Sequence, residues 1–220
     1  MHHITLGSET DFNGWRKAAR ALVLNQVKSS EVIWRVRGHA SKPLEPSATP
    51  LEPARDTFKV PARFVALVQS VILHRDNERF ALLYHLLWRL RTRHDLLDIA
   101  VDPDVARVHA MAKAVHRDMQ RMHVSLRFRE IGREQKAHYV AWFEPEHHIV
   151  VAAAPFFARR YADMPWSILT PDICAHWNGY AVAVTPGIDK TEAPGPDRLE
   201  EIWRRHSANL FNPARLKVQG

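Results

Sequence analysis

Apolar residues recur every three or four positions through much of the first half of the chain, and at alternate positions in several stretches of the second half. A cap at Thr10 or Asp11 predicts a helix through Trp15, Ala18, Ala19 and Leu22, and EVIWRVR at 31–37 reads as a strand from its β-branched and aromatic content. Pro61 suits the first turn of a helix carrying Phe64, Val65, Val68, Val71 and Ile72. A second helix follows from Asn77 through ERFALLYHLLWRL, and the two are expected to form an antiparallel pair. From Pro103 a third helix places Val105, Val108, Ala112, Val115, Met119 and Met122 on one stripe, which is core.

After His123 the period shifts to two. VSLRFREI and KAHYVAWF, separated by GREQ, predict a β-hairpin that sets Arg129 beside His138, Arg127 beside Val140 and Ser125 beside Trp142. A helix is expected from Glu146 to Tyr161. Further strands are expected in WSILTPDICAHW and YAVAVTP, joined at Asn178-Gly179, a two-residue hairpin signal. A last helix is expected from Pro196 through Trp203. Helices before residue 122 and strands after it predict an α+β fold, a helical N-terminal half packed on a mostly antiparallel sheet formed mainly by the C-terminal half, rather than alternating β-α-β units. A single α+β domain over 1–220 is expected, with a proline-rich exposed loop at about 38–60.

Composition changes the picture in three ways. The 220 residues suffice for a real core, and the apolar runs fall far short of the roughly 20 residues that cross a bilayer, so no membrane span is expected. The lone Cys174 and the lack of a secretory signal at MHHITLGSETDF point to a reducing compartment, with the cytoplasm as the expected location. A net charge of +7 favours polyanionic partners, although arginine outnumbers lysine almost three to one, as codon usage in a G+C-rich genome can produce.

Where those cations fall therefore matters more than their number. His109, Lys113, Arg117 and Arg121 follow one another at i+4 and form a ridge beside the core stripe. On the next strand Arg127 and Arg129 share a face with His138 and Trp142. Cations for phosphates and flat rings for stacking on bases are what single-stranded or distorted nucleic acid requires. The same ridge is equally accounted for as the solvated side of an amphipathic helix.

Catalytic motifs are sparse. The chain has no Gly-rich phosphate loop, no G-x-S-x-G elbow and no H-E-x-x-H. FEPEHH, with Glu144, Glu146, His147 and His148, holds metal-ligand residue types but lacks an i, i+4 pair, so neither a metal nor a cofactor is expected. An enzymatic alternative gathers His123, His138, His147 and Asp172 around one pocket. Thr170 and Asp172 in SILTPD are explained by a turn as well as by a site.

ERFALLYHLLWRL, DPDVARVHAMAKAVHRDMQRMHVSLRFRE, YVAWFEPEHHIVVAAAPFFARRYADMPWSILTPD, AHWNG and FNPARLKV together resemble a bacterial family labelled "probable DNA metabolism protein". Its members occur beside a DNA-repair radical-SAM protein or fused ahead of a uracil-DNA glycosylase domain. The resemblance is collinear from about Asp11 to Val218 and implies a place in DNA repair or modification, without implying a reaction. Relatives continue past NPARLKV, so this chain is expected to be a domain cut from a longer protein or a naturally short form, without the glycosylase residues. Three functions follow as expectations: a nucleic-acid-binding accessory domain, an enzyme acting on damaged or modified DNA, or an interaction module that docks the partner enzyme through an apolar patch.

Overall fold

The computed structural model describes residues 1–37, 59–131, 137–189 and the backbone of 217–218. Its elements are β1 (His2–Leu6), α1 (Phe12–Leu24), β2 (Val32–Val36), α2 (Ala62–Val71), α3 (Arg79–Leu90), α4 (Pro103–Ser125), β3 (Arg129–Ile131), β4 (His138–Trp142), α5 (Val150–Arg160), β5 (Trp166–Leu169), β6 (Ile173–Trp177), β7 (Val182–Pro186) and β8 (Lys217–Val218). Contacts divide the chain into two compact units, Met1–His116 and Arg117–Gly220, with the boundary inside α4. Helices lie mainly in the N-terminal part and a mostly antiparallel sheet in the C-terminal part, as the change of hydrophobic period implies. The helix expected from Pro196 falls outside the described residues.

The first unit contains an element that the hydrophobic pattern did not reveal. β1 pairs in parallel with β2, His2 opposite Val32 and Leu6 opposite Val36, so the chain opens with one β-α-β segment. Asp11 explains where α1 starts. Its carboxylate accepts hydrogen bonds from the Gly14 N–H inside the helix at 2.8 Å and from the Gly7 N–H before it at 2.9 Å. A Cβ on Gly14 would come within 2.2 Å of that carboxylate, so a larger residue there would displace the Asp11 cap. Trp15, Ala19, Leu22 and Val23 of α1 are buried against α2, α3 and the first half of α4. Each of the larger ones contributes about 1.5–3 kcal/mol by leaving water.

Two of the polar atoms that enter this core are paired across it, whereas the buried Trp34 Nε1 has no partner among the described residues. Trp15 Nε1 donates to the Phe80 carbonyl at 3.1 Å, and the Tyr84 hydroxyl donates to the Val27 carbonyl at 2.7 Å. Burial pushes the Tyr84 hydroxyl well above the ordinary tyrosine range. Arg79 is fully buried, and its guanidinium does the work of several caps. Nε donates to the Ile72 carbonyl, Nη1 to the Asp76 carbonyl, and Nη2 to both the carbonyl and the carboxylate of Glu9, at 2.6–2.9 Å. The end of α2, the turn into α3 and the loop before α1 are thus tied to one side chain.

In the second unit the strand order is β3-β4-β5-β6-β7-β8, antiparallel except for β4 with β5, which α5 connects as a crossover. Phe157 of α5 meets the Trp166 ring edge-on at 6.3 Å, placing the helix on the sheet face that also carries Tyr139, Ala141 and Trp177.

Two expectations about the strands are corrected. α4 runs on to Ser125, because Leu126 is still four residues beyond buried Met122; the helical period persists where V-x-L-x-F mimics alternation. β3 is consequently three residues long, and its register sets Arg129 opposite Val140 and Ile131 opposite His138, two residues from the expected pairing. A shift of two preserves the face, so Arg129, His138 and Trp142 still share one side of the sheet. The β6–β7 connection spans four residues instead of two. Asn178 Oδ1 accepts from the N–H groups of Tyr180 and Ala181, both at 2.9 Å, while Gly179 takes φ +95°.

Arg79→Ala would remove the side-chain donor from the carbonyls of Ile72, Asp76 and Glu9, of which Asp76 keeps the backbone N–H of residue 79. We expect a loss of about 3 kcal/mol or more in urea unfolding. Unchanged stability would contradict this role for Arg79.

Candidate functional site

The basic stretch around α4 separates into cations that hold the fold and cations that face solvent. The residue that sorts them is Asp118, buried to 3% exposure at a position of the helix where the spacing calls for an apolar side chain. Its Oδ1 accepts from Arg121 Nε at 3.1 Å and Nη2 at 2.6 Å. Its Oδ2 accepts from the backbone N–H groups of Glu146 and His147 at 2.8 and 2.9 Å. Four donors thus satisfy one carboxylate, as a buried charge requires. Arg121 also donates to the Glu144 carbonyl at 3.0 Å and lies 4.8 Å over the Phe143 ring. The FEPEHH segment is the loop that this clamp fastens to the helix. Among the described residues no three His, Cys, Asp or Glu side chains gather to hold a metal ion.

Arg127 lies just past α4, outside the sheet, and its Nη1 donates to the carbonyls of Val124 and Leu126 at 2.6 and 3.0 Å. It closes the helix end electrostatically. Lys113 and Arg117, by contrast, are exposed and make no ion pair or hydrogen bond among the described residues. His109 is also exposed and borders a shallow hollow in the first unit with Arg63, Leu67 and Leu97. Arg129 is exposed on β3, while Trp142 packs on the Val140–Leu169 cluster and donates to Glu144 at 3.3 Å.

The second arrangement crosses the sheet. Ser167 on β5 is fully buried, with its hydroxyl 2.9 Å from His138 Nε2 on β4 and 2.7 Å from His176 Nδ1 on β6. His176 Nε2 in turn lies 2.9 Å from the Thr185 hydroxyl on β7. Side chains from four neighbouring strands form one polar chain beside the apolar cluster of Val140, Leu169 and Cys174. A hydroxyl has a single proton, so Ser167 donates to one neutral imidazole and accepts from the other. Burial pushes His138 down to about 4, so this ring is neutral at physiological pH. Burial likewise raises the Cys174 thiol to about 11, which keeps it protonated and unreactive.

Residues 77–220 match the family model described as a domain of unknown function, DUF4130. The chain belongs to the DUF4130 family. No curated protein and no solved structure matches it. The DUF4130 segment contains α3, α4 and the whole second unit, and so both the Asp118 clamp and the Ser167 chain; β1, α1, β2 and α2 precede it.

Several DUF4130 residues expected to cluster do not. His123 stacks on Phe156 at 3.9 Å between ring centroids and meets Phe157 edge-on, on the α5 side of the sheet. His138 points to the opposite face, His147 is buried in the clamped loop, and Asp172 is exposed in the β5–β6 turn. The Thr170 hydroxyl donates to the Ile173 carbonyl at 2.7 Å, which makes it a turn residue. Sequence reasoning missed Ser167 and His176. Their signal, polar residues in otherwise apolar strands, was visible in WSIL and ICAHW.

The shift at His138 fixes a sign. Its pKa is lower folded than the ordinary 6.5, so the unfolded chain takes up the proton first as pH falls. The stability from the neutral ring is complete above about 6.5 and is lost on acidification toward about 4. Urea unfolding across this window should show a steeper loss for the native protein than for His138→Gln. Superimposable pH profiles would contradict the assignment.

Proposed function

We propose that this DUF4130 chain is a nucleic-acid-binding accessory domain of a bacterial DNA repair or modification system. In this reading it binds single-stranded or damaged DNA, and leaves the chemistry to a uracil-DNA glycosylase or radical-SAM partner. One observation carries the proposal: on α4, Lys113 and Arg117 stand one turn apart, exposed, with no acid among the described residues paired to either. Neighbouring cations with partners are committed elsewhere, Arg121 to Asp118 and Arg127 to helix carbonyls. The chain's +7 charge and the resemblance to DNA-associated proteins support the same reading.

In this account Lys113 and Arg117 displace counterions from phosphates, which gives affinity without sequence preference. Arg129, His138 and Trp142, on one face of the sheet, supply planar groups near the strand edge where a base can stack.

Fluorescence anisotropy with labelled single-stranded, duplex and uracil-containing oligonucleotides tests this. Binding should weaken steeply as salt rises, and Lys113→Ala/Arg117→Ala should lower the slope by about 1.4 on single strands, about 0.7 per phosphate contact. Absence of binding at low salt, or a double variant with the native slope, would overturn the proposal.

A further inference from the structure

The first unit holds a cavity of about 570 Å³ between α1 and the start of α2, within the 300–1,000 Å³ typical of pockets that take small organic ligands. Its described lining almost wholly precedes the DUF4130 segment, with Leu87 alone among the described residues inside it. Ala19, Val23, Phe64 and Val68 form apolar walls from fully buried positions, and Phe12 and Val65 widen the mouth. Among the described residues the charged contribution is all of one sign. Arg16 and Arg20, one turn apart on α1, and Lys59 just before α2 line the rim, and among the described residues no Asp or Glu does.

Geometry explains the placement. Trp15, Ala19 and Val23 are the buried i+4 row of α1, and Arg16 and Arg20 are the row immediately beside it. Their stems lie along the apolar wall while their heads reach solvent. None of these three cations has an ion pair or hydrogen bond among the described residues, whereas Arg63, Arg79, Arg89 and Arg107 in the same unit are all paired with acids. An apolar hollow with a rim of three unpaired cations is complementary to a molecule with an apolar body and a negative head. Among the described residues its lining has no acidic side chain to receive an amine.

We propose that this cavity binds an amphiphilic organic anion, with its hydrocarbon or aromatic body against Phe64 and Val68 and its carboxylate or phosphate between Arg16, Arg20 and Lys59. The site is independent of DNA binding by α4, because no residue of one takes part in the other.

Isothermal titration of the full chain with dodecanoate, and in parallel with dodecyltrimethylammonium below micelle formation, tests this. One equivalent of dodecanoate should bind, and the cationic amphiphile at least about tenfold more weakly, as expected when charge-assisted hydrogen bonds at the rim are lost. Arg16→Glu/Arg20→Glu changes only exposed side chains and should reverse the preference for charge. Val65→Trp, filling the mouth from a half-exposed position, should abolish binding of both, with circular dichroism confirming the helices. No saturable dodecanoate binding up to about 1 mM, equal binding of both amphiphiles, or a preference unaltered by the glutamates would overturn the proposal.

Discussion

A carboxylate buried in an apolar helical stripe must find donors on every side, and Asp118 determines much of the second unit by doing so. Its partners lie three residues ahead on the same helix and in the loop before α5, so one charge fixes the end of α4, the course of FEPEHH and the start of α5. α5 then delivers Phe157 to Trp166 and the chain to β5, parallel to β4. A pair that buries its carboxylate under an exposed arginine contributes little net stability compared with apolar residues of similar size; what it specifies is which arrangement is allowed. Arg79 plays the complementary part in the first unit, a buried cation that meets carbonyls from three segments.

This constraint also divides the cations by role. The basic stretch contains a clamp on a buried carboxylate, a helix-end cap and exposed charges at Lys113, Arg117 and Arg129. Arg89 provides a further structural example: it pairs with Asp102 and Asp104 at the start of α4 and holds the Asp102 carboxyl down near 2, while Asp102 itself accepts from the N–H groups of Asp104 and Val105. Such arginines are silent in electrostatic steering because their field is cancelled locally, so net charge overstates what is available to a polyanion.

Helical order was the most legible part of the sequence. The stripe from Val105 to Met122, the cap at Asp11 and the start at Pro61 follow from local rules, and the described helices obey them. Where local rules offered two answers, the sequence was ambiguous. V-x-L-x-F satisfies a period of two and, through Met122 and Leu126, a period of four; burial favours the second. β1 was missed because five residues of mixed polarity become a strand only when β2 supplies a partner. Asp118 was not singled out for a related reason: two of its partners are 28 and 29 residues away in sequence. The Ser167 chain brings together four strands, and no local pattern encodes that assembly.

The central claim is that Asp118 withdraws Arg121 from recognition and leaves Arg117 available for it. Arg121→Ala and Arg117→Ala, compared side by side in urea unfolding and in salt-dependent binding of single-stranded DNA, test it most directly. The account predicts that Arg121→Ala loses about 1–3 kcal/mol of stability and keeps the native salt slope, whereas Arg117→Ala keeps its stability and loses about 0.7 of the slope. The reverse pattern, or two variants indistinguishable in both measurements, would contradict it.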